Sequence, residues 1–224
     1  MEAALRQDPD NCDYLGAICE TVGLRISMGW EVLAGTDADQ MLVHGSAARG
    51  LRLPSRSADT LAQLGFGLFR TGDPEGGYGL MRKAVELNPS SVRANCLAGH
   101  AANYWGSLAD AEAYFRTGLA LDRHHRLYGA LMTGLSRICM ARGDFETAIG
   151  WADRAHRAQP HQGGAYWTLV AAHAMLGRPE QARTYLEKFR AHHPGVTIER
   201  IKSGQPSQTP LTSTLEGLEM AGLG

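Results

Sequence analysis

No stretch of this 224-residue chain approaches the roughly 18 consecutive apolar residues that a bilayer-crossing helix needs, so a membrane span is not expected. Met1 to Pro9 is polar and acidic where a secretory leader would be basic and then apolar. A cytoplasmic chain is the resulting expectation. Charge of one sign is also missing: 22 basic residues stand against 23 acidic ones, which leaves no basic stripe for a phosphate backbone and argues against nucleic acid as a partner. Only four cysteines occur, at 12, 19, 96 and 139, and none has the tight paired spacing of a zinc or redox motif. They read as reduced packing residues.

Catalytic signatures are lacking as well. There is no nucleophile elbow, phosphate-binding loop or paired-carboxylate arrangement. "GFGLFR" at Gly65 imitates part of a dinucleotide fingerprint, but no strand precedes it. Nine histidines invite a metal reading, with His124, His125, His161, His192 and His193 near the junctions between repeats and His156 five residues before His161. No acid or thiol shares a helix face with them, so solvated loop histidines are expected, with no metal and no cofactor. The chain is not expected to be an enzyme.

What the sequence does hold is a period. Gly72, Gly106, Gly143 and Gly177 are separated by 34, 37 and 34 residues, and each opens a polar turn followed by a new helical pattern. Gly77, Ala111, Ala148 and Ala182 lie five places after these glycines, and Leu64, Ala98, Leu135 and Leu169 eight places before them. Prolines close the units at Pro89, Pro160 and Pro194, while Arg123 takes that place in the unit with three extra residues.

Each unit divides into two amphipathic helices, because apolar residues recur at three and four along each half. The glycine lets the first helix end in a left-handed turn, and Asp73, Ser107 or Asp144 can cap the second. Pro74 and Pro179 fall in its first turn, where a missing amide donor costs nothing. Small residues at the crossing points let the pair pack closely. One pair cannot bury its own apolar faces, so stability must come from stacking neighbours.

This order of glycine, small, bulky and proline positions at a 34-residue period resembles the tetratricopeptide repeat over residues 24 to 194. The resemblance implies an all-α fold, a right-handed superhelix of helical hairpins. Four units are expected at 58–91, 92–128, 129–162 and 163–196, preceded by an enlarged, degenerate unit within 1–57. The enlargement is placed near "SMGWEVLAGTDADQ", and "AALRQDP" reads as the last turn of a preceding repeat, as though the chain were a fragment. Residues 197–214 are expected to be a linker, and 215–224 a short helix that docks back through Leu215, Leu218 and Leu223.

The features beyond the bare repeat, "HPGVTIERI" and "LEGLEMAGL" above all, resemble the carboxy-terminal tetratricopeptide region of proteobacterial class III adenylyl or guanylyl cyclases and of winged-helix regulators. That resemblance implies a regulatory segment of a signalling protein, either a protein-interaction scaffold or a ligand-responsive domain of a fused cyclase.

In such arrays the first helices line a concave groove. It supplies the candidates Phe66, Phe69 and Arg70, then Arg93, Cys96, His100, Asn103 and Tyr104, then Thr133, Arg137 and Met140, and finally Trp167 and Met175. Aromatics, methionine and arginine together suit a protein or peptide partner. Arg70, Arg93 and Arg137 on successive units favour an acidic segment, since guanidinium forks match carboxylates. The chain's own amino-terminal domain and a second copy of the chain are further candidate partners.

Overall fold

A computed structural model describes residues 8–28, 37–54, 56–105, 107–160, 163–203 and 212–224. The enlargement expected near residue 30, the opening turn at 4–5, Gly106 and His161 lie largely or wholly outside them. Among the described residues there are twelve helices, and the regular structure is helical throughout. We number them α1 (Cys12–Met28), α2 (Asp37–Gly50), α3 (Ala58–Arg70), α4 (Pro74–Leu87), α5 (Val92–Trp105) and α6 (Leu108–Leu121). The second half holds α7 (Tyr128–Ala141), α8 (Phe145–Ala158), α9 (Gly163–Met175), α10 (Pro179–His192), α11 (Ile198–Ser203) and α12 (Thr212–Met220).

One turn is repeated inside three hairpins. Gly72, Gly143 and Gly177 have φ of 107°, 76° and 68°, a left-handed conformation that a side chain would strain. In each case the next amide reaches back five residues to close the first helix: Asp73 N to Leu68 O at 3.0 Å, Asp144 N to Cys139 O at 2.9 Å, and Arg178 N to His173 O at 2.9 Å. The second helix then starts on a side-chain cap, Asp73 accepting from Gly76 N at 2.9 Å and Asp144 from Thr147 N at 3.2 Å. Ser107 caps α6 by accepting from Ala109 N at 3.1 Å. Three of the hairpin starts anticipated from the sequence are therefore present, and Pro74 and Pro179 stand at their helices' first turns.

The hairpins close on small residues. A Cβ at Gly77 would lie 2.5 Å from the Gly65 carbonyl oxygen, so α3 and α4 touch backbone to backbone. Ala111, Ala148 and Ala182 occupy the same register and have no exposed surface. Each second helix also packs on the next first helix, α4 on α5, α6 on α7 and α8 on α9, and the first helices pack on one another, α1 on α3 and α3 on α5 among them. Phe115 of α6 shows how the stack fills: a Cβ at Gly134 would sit 2.2 Å from its ring and one at Gly99 2.6 Å, so glycines on α5 and α7 make its room.

Two expectations for the carboxy-terminal segment need correction. Residues 197–214 are not wholly linker, because α11 lies within them and buries Ile198 and Ile201 at 3% and 2% exposure. Thr197 accepts from Arg200 N at 3.3 Å and Ile198 and Ile201 share one face, a helix start that the Pro/Ser/Thr/Gln composition of the following stretch concealed. The last helix also begins earlier than 215, at Thr212.

Leucine at Ala111 or Ala148 should overpack the hairpin crossing. We expect each substitution to lower unfolding stability in urea by about 1–3 kcal/mol, and a neutral result at both would place the crossing elsewhere.

Candidate functional site

The inner face of the array is a ladder of equivalent positions. Phe66, His100, Arg137 and Ala171 fall at the same point of α3, α5, α7 and α9, spaced by 34, 37 and 34 residues. One turn earlier stand Ala62, Cys96, Thr133 and Trp167, and one turn later Arg70, Tyr104, Ala141 and Met175, so three rows run across the four helices.

The chain's own α1 covers the first rung of these rows. A Cβ at Gly67 would lie 2.6 Å from Cys19 Cβ, one at Gly23 2.9 Å from the Phe66 ring, and one at Gly16 2.7 Å from Gln63 Oε1. Glycines on both helices thus bring α1 directly onto α3. Phe66, Phe69 and Arg70 are consequently buried at 4%, 3% and 8% exposure, not open to a guest as the sequence suggested.

Arg93 is engaged too. It forms an ion pair with Glu20 of α1 and lies 3.4 Å from Asp59, its counterpart one repeat earlier, while Glu20 also accepts from Gln63 Nε2 at 2.6 Å. A guanidinium buried to this degree requires such partners, so Arg93 ties α1 to the array and is not free to read an acidic segment. The sequence offered a faint signal for this, since Glu20 stands alone among apolar residues in "GAICETVGL".

The middle rungs stay open. Leu24, Phe66, Leu97, Tyr104, Ala130 and Arg137 are among the residues that line a mainly apolar cavity of about 130 Å³, with His100, Cys96 and Thr133 also on its wall. That is room for one side chain and less than a drug-sized or cofactor site offers. The Arg137 guanidinium lies 5.9 Å from the Tyr104 ring centre and 5.2 Å from that of Trp167, and it donates to the Tyr104 hydroxyl. Among the described residues it has no carboxylate partner. Arg70 also lies over the Tyr104 ring, 5.5 Å from its centre, and Phe69 stacks on that ring at 6.5 Å. A Cβ at Gly164 would press on the Thr133 methyl at 3.0 Å and only touch Arg137 Nη2 at 3.5 Å.

His100 sits at the centre, its ring edge-on to Phe115 at 5.0 Å. Burial, then the charges of Arg137 and Arg70, push its pKa down to about 3, so it is a neutral imidazole. Asn103 is buried with its Oδ1 unpartnered, and Tyr104 is 5% exposed. Burial also pushes the Cys19 and Cys96 thiols up to about 12, which fits inert packing cysteines.

At the far end Met140 and Trp167 are buried at 1% and 2% in a core shared with Leu218 and Leu223, and α12 packs on α9 and reaches α7. These two expected groove residues are therefore walls rather than open surface. The histidines divide: His124 and His192 are exposed as expected, His192 lying 6.0 Å from the Tyr166 ring centre, but His156 packs on Tyr166 at 4.9 Å and His173 stacks on Tyr185 at 5.6 Å. Among the described residues no group of three or more His, Cys, Asp or Glu could hold a metal ion, and no helix is long and apolar enough to cross a membrane.

No protein-family model and no curated protein matches the chain. Solved structures do. PilW, titled a widely conserved type IV pilus biogenesis factor, superposes with a TM-score of 0.64 at 16% identity over 90% of this chain and 89% of its own. A thermophilic TPR protein of Thermus thermophilus gives 0.56 at 19% identity, over 74% and 90%. The Cut9-Hcn1 structure of the APC/C gives 0.68 at 12% identity, over 91% of this chain but 38% of that one. The fold is an all-α superhelix of tetratricopeptide hairpins. These likenesses carry the repeat resemblance and do not support the cyclase or winged-helix one.

Removing Arg93 leaves Glu20 buried without its partner. Arg93→Ala should cost about 3–5 kcal/mol in urea unfolding, and a loss below 1 kcal/mol would mean the pair is not buried in solution. His100 gives a pH test. The unfolded chain binds its proton near pH 6.5 and the folded chain only near 3, so stability should fall as pH drops through that window, by at most about 1.4 kcal/mol per unit from this residue. His100→Gln should flatten the fall between pH 6 and 4, and an unchanged slope would assign the effect to other groups.

Proposed function

We propose that the chain is a protein-interaction module whose working surface is the middle of the groove. A partner segment places one apolar side chain in the cavity between α5 and α7 and sets a neighbouring carboxylate against Arg137. One observation carries this reading: Arg137 is held between two aromatic rings at the cavity wall, with no carboxylate of the described chain to neutralise it. A cation in so apolar a wall is a specificity element, because an acidic guest gains a charge-assisted bond and an uncharged one does not. The neutral His100 beside it adds no competing charge. Support from outside the chain is limited to the shared fold, which presents such grooves in unrelated contexts.

Of the residues expected along the groove, His100 and Arg137 keep exposed surface for a guest, while Tyr104 and Thr133, each 5% exposed, meet it only through the cavity wall. Phe66, Phe69 and Trp167 shape the wall instead, and Arg93 and Met140 serve stability.

Two fluorescein-labelled peptides test it, one carrying Glu beside a central Leu and the other Gln in place of Glu. The Glu peptide should bind at least tenfold more tightly, a difference of about 1.5–3 kcal/mol, and Arg137→Ala should erase that preference. Lys83→Ala with Arg183→Ala, both exposed on second helices, should leave it unchanged. Equal affinity for the two peptides, or equal losses from both sets of variants, would move the partner surface away from the central groove.

A further inference from the structure

The fourth rung of the central row is already filled by the chain itself. Ala171 stands where Arg137 and His100 stand in the preceding repeats, and Gly217 of α12 lies directly on it. A Cβ at 217 would come within 2.5 Å of the Ala171 carbonyl oxygen and 2.7 Å of its Cα, so the two helices meet backbone to backbone. From there α12 reaches α7. It thus occupies the inner face of the array in the place a guest helix would take.

The attachment is apolar and specific, with Leu218 and Leu223 in the core that also holds Met140, Trp167, Ile198 and Ile201. Thr214, Gly217 and Leu218 are the buried residues of the helix, while Met220 is 66% exposed. Gly222, with φ of 90°, ends the helix: Leu223 N bonds Leu218 O at 3.0 Å and Gly222 N bonds Glu219 O at 2.9 Å. That paired closure returns Leu223 to the core at 2% exposure. The polar ties are Lys202 to Glu219 at 3.5 Å and Arg190 to the Gly222 carbonyl at 2.9 Å, both at the wet surface where such contacts contribute little. Nine residues are too few to remain helical alone in water, so α12 is helical because it is docked. Residues 204–211 connect it to α11.

We propose that α12 is an intramolecular occupant of the groove, which leaves the Ala171 face as a unit without unfolding of the repeats. The vacated face fits a helix that presents glycine at the crossing point and leucine one residue later. Its role as a competitor for partners rests on the reading of the groove as the binding surface. The opening itself does not depend on that reading.

Hydrogen exchange on the full chain, followed by mass spectrometry, tests the opening. Amides of 212–223 should exchange at least a hundredfold faster than the slowest amides of α9 and α10. Gly217→Leu improves helix propensity yet cannot fit against Ala171, so it should strip the protection of 212–223 and leave α9 and α10 unchanged. A labelled peptide of residues 212–224 should then bind the Gly217→Leu chain saturably and the unaltered chain at least tenfold more weakly, since the tethered copy competes. Protection of 212–223 equal to that of α9 would make the helix an integral cap and overturn the proposal. Loss of protection in α9 and α10 on Gly217→Leu, or equal or absent peptide binding in both chains, would overturn it as well. None of these readings uses the Glu peptide, so failure of the central-groove reading would show separately.

Discussion

Everything in this molecule depends on how closely two helices can approach. Where Gly65 meets Gly77, and where Ala111, Ala148 and Ala182 take the same place, no side chain larger than a methyl separates the paired helices. Close pairing thins each hairpin until it has two apolar faces and no interior of its own, so each must stack on the next. Stacking at a fixed offset then lines the first helices side by side, and any residue at a given point of the repeat becomes one rung of a row. The groove is a consequence of that geometry.

The same device of small residues decides how much groove remains. Gly16, Gly23 and Gly67 bring α1 down onto α3, and Gly217 brings α12 down onto Ala171. Both terminal rungs are thereby taken by the chain's own helices, and the open floor contracts to His100 and Arg137 in the two middle repeats. Burial then sorts the arginines by their partners. Arg93, sealed beside Glu20 and Asp59, is a structural tie, whereas Arg137 lies over two aromatic faces and has no carboxylate partner among the described residues.

Most of the fold was legible in the sequence because a repeat writes its turn chemistry several times over. Gly72, Gly143 and Gly177 announce left-handed turns, and Asp73, Ser107 and Asp144 announce the caps that follow them. The site was legible only in part. Periodicity assigned Phe66, Arg93 and Trp167 to the first helices of their units, but it carries no information about what lies above those helices. The covering helix α1 belongs to a segment where the repeat is degenerate, and α12 lies beyond Pro194, where the repeat stops. Glu20 hinted that α1 would reach Arg93, and Leu218 and Leu223 marked the last helix as one that docks, but nothing in the sequence pointed to its close approach to Ala171. The helix α11 was hidden by the polar composition of the stretch after it.

Nuclear magnetic resonance on the isotopically labelled chain addresses the central claim most directly, during titration with an acidic segment that binds it. The Trp167 indole Nε1–H, which has no hydrogen-bond partner among the described residues, the Arg137 Nε–H and the backbone amides of Tyr104 and Thr133 should shift together along one saturation curve. Lys83 and Arg183 on the second helices should not move. Shifts confined to the second helices or the loops, with the Arg137 and Trp167 signals unchanged at saturation, would show that the concave middle is not where this protein meets its partner.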